Sequence, residues 1–329
     1  MAQGDQRRGD EHDLPAVTVV VPTRDRWDLL QRRALRSALA QEDVRLEVVV
    51  VDDGSVEPAP SSVENDPRVR VVRHDTSRGV AAARNTGIRE ARAQWTAFLD
   101  DDDLWAPPKL SEQLGQLAAK DAAFVYSAVA HTNLAGDILT IDPAPPAREL
   151  RELLLAGNVI PGAASNIVVK TDLLRELDGF DVDLFILEDP DLALRLIGRA
   201  SGVACETVHV AYLQHERARH LRDIKPLLDS FEYFRTKHPE VSPFLLQNHL
   251  DWVLSQHRRA GRKVAAARLC WTVSRHTRSP RWFLKGLTYL AGNRARHAVR
   301  KLRHGSPSAE LVGQPKAAQP DLDWVRAYA

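Results

Sequence analysis

The sequence predicts an α/β protein with a mainly parallel sheet, and three observations support this prediction. Short β-branched or apolar runs, typical of buried strands, alternate with segments of helical periodicity. Aspartates follow two of those runs directly. The chain has 329 residues and a hydrophobic fraction of 44%, which is enough to bury a large core. Such an alternation predicts helices on both faces of the sheet.

The elements follow from the apolar pattern in chain order. Val17 to Val21 is a β-branched run that ends at Pro22, and it predicts the first strand. Apolar residues then recur at helical spacing from Leu29 to Leu39, with Asp28 available as an N-cap. The remaining predicted elements are strands at Leu46 to Val51, Val69 to Val72 and Trp95 to Leu99, and an alanine-rich helix at Val80 to Ala93.

Four consecutive acids, Asp100 to Asp103, follow the fourth predicted strand. Carboxylates about 4 Å apart near a protein surface repel each other by roughly 4 kcal/mol, so such a cluster favours a bound cation or proton. Ligands of open α/β sheets bind at the carboxyl ends of strands, where these acids stand. The run therefore predicts a cation site, and a solvated acidic turn is the alternative.

A second acidic pair, Asp52 and Asp53, ends the second strand and precedes Gly54 and Ser55. An acid at this point can accept hydrogen bonds from a nucleobase or ribose, or it can simply form an Asx turn. Arg84 lies between the two acidic groups in sequence, where it is expected either to neutralise a phosphate or to pair with an aspartate.

A third constellation is Glu188 and Asp189, which precede Pro190. Proline suits the first position of a helix, so Asp189 is a candidate N-cap. A carboxylate at a helix start that faces an acidic metal site is also a candidate general base.

Several other classes of protein do not fit the pattern. The turn after the first strand, from Pro22 to Trp27, lacks the glycines of a dinucleotide fingerprint, and there is no Walker loop. Leu104 and Trp105 follow the acid run where an EF-hand would need further ligands. Two cysteines fit a reducing cytoplasm, and no run of about 18 apolar residues predicts a membrane span.

Charge is distributed unevenly along the chain. Fourteen Lys or Arg and no Asp or Glu lie between Arg258 and Arg303, although the net charge is only +1. Such a basic region can contact an anionic membrane, an acidic acceptor, nucleic acid or the earlier part of the same chain, where acidic residues are in excess. Apolar and aromatic residues at helical spacing argue against a free nucleic-acid-binding tail, so no nucleic-acid partner is expected.

In combination and order, these motifs resemble glycosyltransferase family 2, from about Ala16 to His215. The resemblance is carried by the following segments: Pro22-Thr23-Arg24-Asp25, Val51 to Ser55, Gly79 with Ala83 to Ile88, Phe98 to Trp105, Gly179-Phe180-Asp181, and Glu188 to Asp191 with Arg195. It implies a GT-A fold and metal-dependent, inverting transfer of a sugar from a nucleoside-diphosphate sugar, with UDP the usual nucleotide. The acceptor would carry a hydroxyl on a glycan, a lipid-linked molecule or a small molecule.

The resemblance also assigns roles to residues. It implies that Asp189 is the catalytic base and that Asp100, Asp102 and His215 contact Mn²⁺ or Mg²⁺. The donor would be bound by Pro22, Thr23, Arg24, Asp53, Arg84, Asp100, Asp101 and Glu188. We expect Asp53 to contact the nucleobase, and Asp101 and Asp103 to serve geometry or capping if Asp100 and Asp102 are the ligands.

The predicted organisation has four parts. They are a disordered lead-in at 1–15, a GT-A domain at 16–220, a basic helical region at 221–304 and a flexible tail at 305–329. A cytoplasmic location is expected, with peripheral contact at the inner face of an anionic membrane as a further hypothesis. A nucleotidyltransferase and a non-catalytic sugar-binding or membrane-surface protein are the alternatives, and the first is disfavoured because Pro22 to Trp27 lacks a glycine-rich phosphate loop.

Overall fold

The computed structural model describes residues 15–157, 159–214, 225–242, 244–259, 261–290 and 322–328. Its contacts divide these residues into two units. The first contains the described residues up to 214 together with 238–241 and 322–328. The second contains 225–237 and the described residues from 242 to 290. The predicted lead-in, apart from Pro15, lies outside the described residues, as does most of the predicted tail.

The first half of the sheet in the first unit is parallel. Its strands are β1 (Val17–Thr23), β2 (Leu46–Asp52), β3 (Val69–Arg73) and β4 (Trp95–Phe98). Strand β1 pairs with β2 and β4, and β2 pairs with β3, all in parallel. The four strands predicted from the β-branched and apolar runs are confirmed. Their carboxyl ends meet at one edge, where the acidic pair and the acid run follow.

The second half of the sheet is mixed. It contains β5 (Leu104–Trp105), β6 (Phe124–Thr132), β7 (Ile138–Asp142), β8 (Val168–Lys170) and β9 (Gly202–Leu213). The order across the sheet is β3-β2-β1-β4-β8-β6-β9-β5, with β7 also on β6. The β6–β9 pair is parallel, whereas β8 is antiparallel to both β4 and β6, and β5 is antiparallel to β9.

Helices cover both faces of this sheet. Helix α1 has an α-helical turn at Trp27–Leu30, a π-helical turn at Gln31–Leu35 and a further α-helical turn at Arg36–Leu39. It packs on the face of β1 that carries Val19 and Val21. Helix α2 (Val80–Glu90) packs on the opposite face, where a Cβ at Gly87 would lie 2.2 Å from Val20. Glycine at that position permits the close approach of helix and strand.

The N-cap expected for the first helix differs from the structure. Arg26 precedes the helix without a capping side chain, and Asp28 lies inside its first turn. There Asp28 pairs with Arg32 at 2.6 Å, and both side chains are 75% exposed. The helix begins earlier than its apolar periodicity because Trp27 also packs against the core.

The other helices of the first unit are short. They are α3 (Lys109–Lys120), α4 (Leu150–Leu155), α5 (Thr171–Glu176) and α6 (Glu188–Ile197). In the second unit, helices α7 (Lys225–Lys237), α8 (Phe244–Arg259), α9 (Lys263–Thr277) and α10 (Pro280–Leu290) follow. None of the helices in the described ranges is both long and apolar enough to cross a membrane.

The segment at 322–328 falls within the stretch expected to be a flexible tail. The structure has a helix there, α11 (Asp323–Tyr328). Its Val325 is buried against Leu104 and Ala211, and the guanidinium of Arg36 lies 5.1 Å from the ring centre of Tyr328. An apolar contact at the edge of the sheet therefore stabilises this helix.

Candidate active site

The acid run forms a tight turn between β4 and β5. The backbone N–H of Asp103 donates to the carbonyl of Asp100 at 3.1 Å. The side chains of Asp100 and Asp102 are 29% and 14% exposed, whereas those of Asp101 and Asp103 are 6% and 0% exposed. Alternate acids thus have different surroundings, and Asp100 and Asp102 are the more accessible pair.

The two buried acids of the run have protein partners. Thr23 donates its hydroxyl to Asp101 at 2.7 Å, and Ser165 donates its hydroxyl to Asp103 at 2.6 Å. The other oxygen of Asp103 accepts the backbone N–H of Leu213 at 2.9 Å. Burial and the charge of Asp102 raise the pKa of Asp101 to about 7, and burial also raises the pKa of Asp103. These carboxyls join the acid turn to β1, to the 3₁₀ turn at Ala163–Asn166 and to β9.

Two arginines from the start of the chain meet the acid turn, and the sequence analysis did not identify them. The guanidinium of Arg26 forms ion pairs with Asp102 and, at 3.1 Å, with Asp101. Arg33 donates from Nε to the carbonyl of Asp102 at 2.6 Å, and its buried Nη2 has no hydrogen-bond partner. Arg33 lies in the π-helical turn of α1, a local widening often found at functional sites. The basic character of the segment after β1 was the available signal.

A single arginine connects the acid run to the third acidic motif. Arg84 in α2 donates from one terminal nitrogen to Glu188 at 3.2 Å and Asp189 at 3.0 Å, and from the other to Asp100 at 2.8 Å. Its guanidinium lies 5.1 Å from the ring centre of Phe180. Burial acts to lower the pKa of Arg84, but the charges of the three carboxylates outweigh burial and raise it. Arg84 was expected either to neutralise a phosphate or to pair with an aspartate, and in this structure it pairs with aspartates.

Glu188 and Asp189, which both face Arg84, are expected to hold one proton between them near neutral pH. Burial and the neighbouring charge of Asp189 together raise the pKa of Glu188 to about 8, although the charge of Arg84 opposes the rise. Burial also raises the pKa of Asp189, while the charge of Arg84 opposes that rise. The Asp189 side chain is 21% exposed and that of Glu188 is 12% exposed. Near neutral pH, we therefore expect the proton on Glu188 and the charge on the more accessible Asp189.

Helix α6 begins two residues earlier than the sequence analysis expected. Leu187, with φ of +72°, is its N-cap, so Asp189 is the second helical residue rather than the cap. The positive end of the helix dipole lies beside Glu188 and Asp189 and favours the negative charge on Asp189. Asp191 is fully buried, paired with Arg195 at 2.7 Å and with His238 at 2.8 Å.

The turn around Gly179 and Phe180 connects α6 to α2. Arg195 donates to the carbonyls of Leu177 and Gly179, both at 2.7 Å. Asn85 exchanges two hydrogen bonds of 2.7 Å with the backbone of Phe180. Through these contacts, Asn85, Gly179 and Arg195 have a structural role. They hold the turn that contains Phe180, whose ring contacts the guanidinium of Arg84.

The acidic pair after β2 shapes a different loop. Asp53 accepts hydrogen bonds from Ser77, from the backbone N–H groups of Arg78 and Gly79, and from His74, at 2.7 to 2.9 Å. Burial acts to raise the pKa of Asp53, but these hydrogen bonds lower it below the ordinary value. Asp52 pairs with Arg73 at 2.7 Å and accepts the N–H of Ser55. Asp53 therefore organises the loop before α2, and its contact with a nucleobase remains a prediction.

The other candidate donor residues lie near the end of β1. Pro22 and Thr23 are buried in β1, and Thr23 contacts the acid run as described. The Arg24 side chain is 55% exposed and lies 3.8 Å from Asp25. His215, the third expected metal ligand, lies outside the described residues. Thus one connected network, joined through the acid turn, contains Thr23, Arg84, Asp100, Asp101, Glu188 and Asp189. Asp53 adjoins this network, because its backbone N–H donates to the carbonyl of Thr23 at 2.9 Å.

The described residues do not contain a ready-made group of three or more His, Cys, Asp or Glu side chains able to hold a metal ion. The donor chemistry nevertheless fits Mg²⁺ or Mn²⁺. Such hard cations are bound by one or two carboxylates together with substrate phosphates. Asp100 and Asp102 offer two such carboxylates at the most accessible part of the acid turn. In this structure arginines occupy their oxygens.

Comparison with known proteins agrees with this architecture. A glycosyl transferase family 2 model matches residues 18–177. The succinoglycan biosynthesis protein ExoO of Rhizobium meliloti (strain 1021) is 42% identical over 131 residues, which are 39% of this chain and 35% of that protein. An uncharacterized glycosyltransferase of Haemophilus influenzae is 30% identical over 56% of this chain and 63% of its own length. The chain therefore spans less than two thirds of the length of these relatives.

Further likenesses extend over more of the chain. The putative colanic acid biosynthesis glycosyl transferase WcaA of Escherichia coli (strain K12) is 26% identical over 69% of this chain and 82% of its own length. Crystal structures of S. aureus TarS 1-349 in complex with UDP and with UDP-GlcNAc both match with a TM-score of 0.52 and 17% identity. They cover 80% and 77% of this chain and 72% and 71% of theirs, respectively. The predicted GT-A fold is confirmed, and residues 18–177 are the part of the chain that is similar to glycosyl transferase family 2.

Proposed function

We propose that this protein is a metal-dependent, inverting glycosyltransferase that transfers a sugar from a nucleoside-diphosphate sugar to an acceptor hydroxyl. The observation that carries the proposal is the guanidinium of Arg84, which contacts Asp189 at 3.0 Å and Asp100 at 2.8 Å. The candidate base and the candidate diphosphate-side acid are therefore held by the same buried residue. A sugar between them would have the acceptor on one side and the leaving group on the other.

The donor is proposed to be UDP-linked. TarS, which has the same fold, was crystallised with UDP and with UDP-GlcNAc. The acceptor is proposed only as a hydroxyl compound, because the relatives are named for different products. These include succinoglycan, colanic acid and teichuronic acid.

Asp189 acts as the general base in this proposal. Its carboxylate would accept the proton of the acceptor hydroxyl, whose oxygen would attack the anomeric carbon from the face opposite the nucleotide and invert its configuration. Arg84 orients Asp189 and opposes the rise in its pKa that burial causes, while Glu188, with a pKa of about 8, carries a proton and leaves the pair singly charged. Mg²⁺ or Mn²⁺ held by Asp100 and Asp102 would neutralise negative charge on the nucleoside diphosphate. His215 stays a candidate third ligand.

The test measures release of nucleoside diphosphate from a panel of nucleotide sugars with Mn²⁺. We expect Asp189→Asn to reduce turnover by about 10²-fold or more while binding of UDP stays within about twofold, because only proton removal is lost. Glu188→Gln is the matched control: it replaces a carboxyl that is already protonated near neutral pH, so its turnover should fall far less. Full turnover in Asp189→Asn would refute the base assignment, and no release from any donor would refute glycosyl transfer.

A further inference from the structure

The second unit contains a helical hairpin whose outer side is not explained by its internal packing. Helix α10 packs on α9 through Gly286, which is buried. A Cβ at Gly286 would lie 2.6 Å from Nε1 of Trp271 and 3.2 Å from the carbonyl oxygen of Ala267. The α9 side of α10 is therefore fixed at Gly286, and the rest of the helix surface can be assigned relative to it.

Large apolar side chains lie beside this packed edge and remain exposed. Phe283, Leu284, Leu287 and Leu290 are 48%, 60%, 42% and 46% exposed. At 3.6 residues per turn, these four positions form one continuous stripe that begins next to Gly286 and extends away from α9. We call this set the α10 stripe.

Helix α9 extends the same surface. The rings of Trp271 and Phe283 lie 6.1 Å apart, which brings the side of α9 containing Trp271 next to the α10 stripe. Val264, Arg268 and Arg275 are exposed and lie at positions seven and three residues before Trp271 and four residues after it. This spacing puts them on the Trp271 side of α9. The apolar stripe therefore has arginines along its α9 border.

The charge around the stripe has one sign. Arg268, Arg275, Arg278 and Arg281 are exposed, and no ion pair joins any of them to an acidic side chain in the described part of the chain. Lys285 is different, because it pairs with Asp251. The sequence has no acidic residue between Arg258 and Arg303. The surface is thus apolar in its centre and positive at its edges.

We propose that this face of the α9–α10 hairpin binds the surface of an anionic lipid bilayer, with α10 lying in the plane of the membrane. The α10 stripe would enter the boundary between headgroups and acyl chains, and the four arginines would contact anionic headgroups. A second copy of the chain is a poorer occupant, because a symmetric contact would bring the same arginines together. The proposal concerns the second unit and does not depend on the activity of the first.

The experiment is flotation of the full-length protein with vesicles of phosphatidylcholine alone or of phosphatidylcholine and phosphatidylserine at 7:3. We expect binding to the anionic vesicles at 0.1 M salt, at least tenfold weaker binding at 0.5 M salt, and little binding to phosphatidylcholine. The double variant Leu284→Ser/Leu287→Ser should lose most of the binding. Arg268→Gln/Arg275→Gln should weaken it by about 25-fold, at roughly fivefold per arginine.

Matched controls come from the first unit. Val56 and the Arg148 side chain are 81% and 82% exposed there, so Val56→Ser and Arg148→Gln change the same kinds of residue outside the α9–α10 hairpin and should leave binding unchanged. Circular dichroism melting would check that each variant is folded. Three results would overturn the proposal: no binding to anionic vesicles, equal binding by the α10 variants, or a concentration-dependent dimer that Leu284→Ser/Leu287→Ser abolishes without any vesicle binding.

Discussion

Replacing Arg84 with methionine tests the central feature of the site, because it removes the cation that contacts Glu188, Asp189 and Asp100. The Arg84 side chain is 3% exposed and makes three ion-paired hydrogen bonds. Removing one partner of a buried ion pair costs about 3–5 kcal/mol, since the remaining charge stays buried without compensation. We therefore expect a loss of that size in the free energy of unfolding at pH 8. For a domain of about 200 residues, the loss corresponds to roughly 6–20 °C in Tm.

The loss should depend on pH. Burial already raises the pKa of Glu188 to about 8 and raises that of Asp189, and removal of Arg84 would raise both further. A carboxyl whose pKa is higher in the folded than in the unfolded state destabilises the fold at high pH, and this destabilisation is relieved as pH falls through the folded pKa toward the unfolded one. The difference between Arg84→Met and the wild type should thus be largest at pH 8 and smaller at pH 5.5.

Melting followed by circular dichroism at these two pH values is the measurement. Arg68→Met is the matched control, because Arg68 pairs with Asp66 at 2.8 Å but is 40% exposed, and exposed pairs contribute less than about 1 kcal/mol. The double variant Arg84→Met/Glu188→Gln should recover part of the loss, since one fewer carboxylate would remain uncompensated. The reasoning fails if Arg84→Met is no less stable than Arg68→Met, or if its loss is the same at both pH values.

Three further predictions concern other parts of the first unit. Asp102→Asn should weaken Mn²⁺ binding at least tenfold, measured by calorimetry in the presence of UDP. Asp101→Asn changes a buried partner of Thr23, so it should mainly lower Tm. Equal Mn²⁺ affinities of the two variants would contradict these separate roles of Asp101 and Asp102. Gly179→Ala should lower the free energy of unfolding by at least about 1–3 kcal/mol, because Gly179 has φ of +65° and an added Cβ would lie 2.2 Å from Oδ1 of Asn85. Gly115→Ala in α3 is the control: an added Cβ there has nothing within 4 Å, so this variant should be neutral or stabilising in the same melts. Lys109 is fully buried 4.2 Å from the Trp105 ring centre, and burial lowers its pKa to about 7. That depressed pKa penalises the folded state fully below pH 7 and progressively less as pH rises toward 10, so Lys109→Met should raise Tm more at pH 7 than at pH 9.5, and an equal gain would contradict the reasoning.

The parts of the fold that depend on local pattern were predictable. The β-branched and apolar runs predicted β1 to β4, and the acids after β4 were correctly expected at the carboxyl end of that strand. The antiparallel position of β8 between β4 and β6 was not predictable, because strand pairing between distant segments leaves no trace in the periodicity of either.

The site shows the same limit. The acids were identified from their clustering, but their partners Arg26, Arg33 and Ser165 depend on the phase of α1 and on the 3₁₀ turn before β8. The π-helical turn at Gln31–Leu35 changes the direction of Arg33 relative to a regular helix, and the sequence of that turn contains no pattern that predicts a π-helical turn. The start of α6 was misplaced because the proline at position 190 suits the first turn of a helix as well as its first residue.

The hydrogen bonds of Asp53 bear on any attempt to redesign donor selectivity. Its two carboxylate oxygens accept hydrogen bonds from Ser77, Arg78, Gly79 and His74. The negative charge of Asp53 therefore determines the course of the loop that precedes α2. An exchange of Asp53 for asparagine or glutamate would therefore move a backbone segment as well as change one side chain. A library intended to accept another nucleotide would do better to keep Asp53 and vary the exposed side chain of Arg78, which leaves the loop intact while changing the surface that it presents.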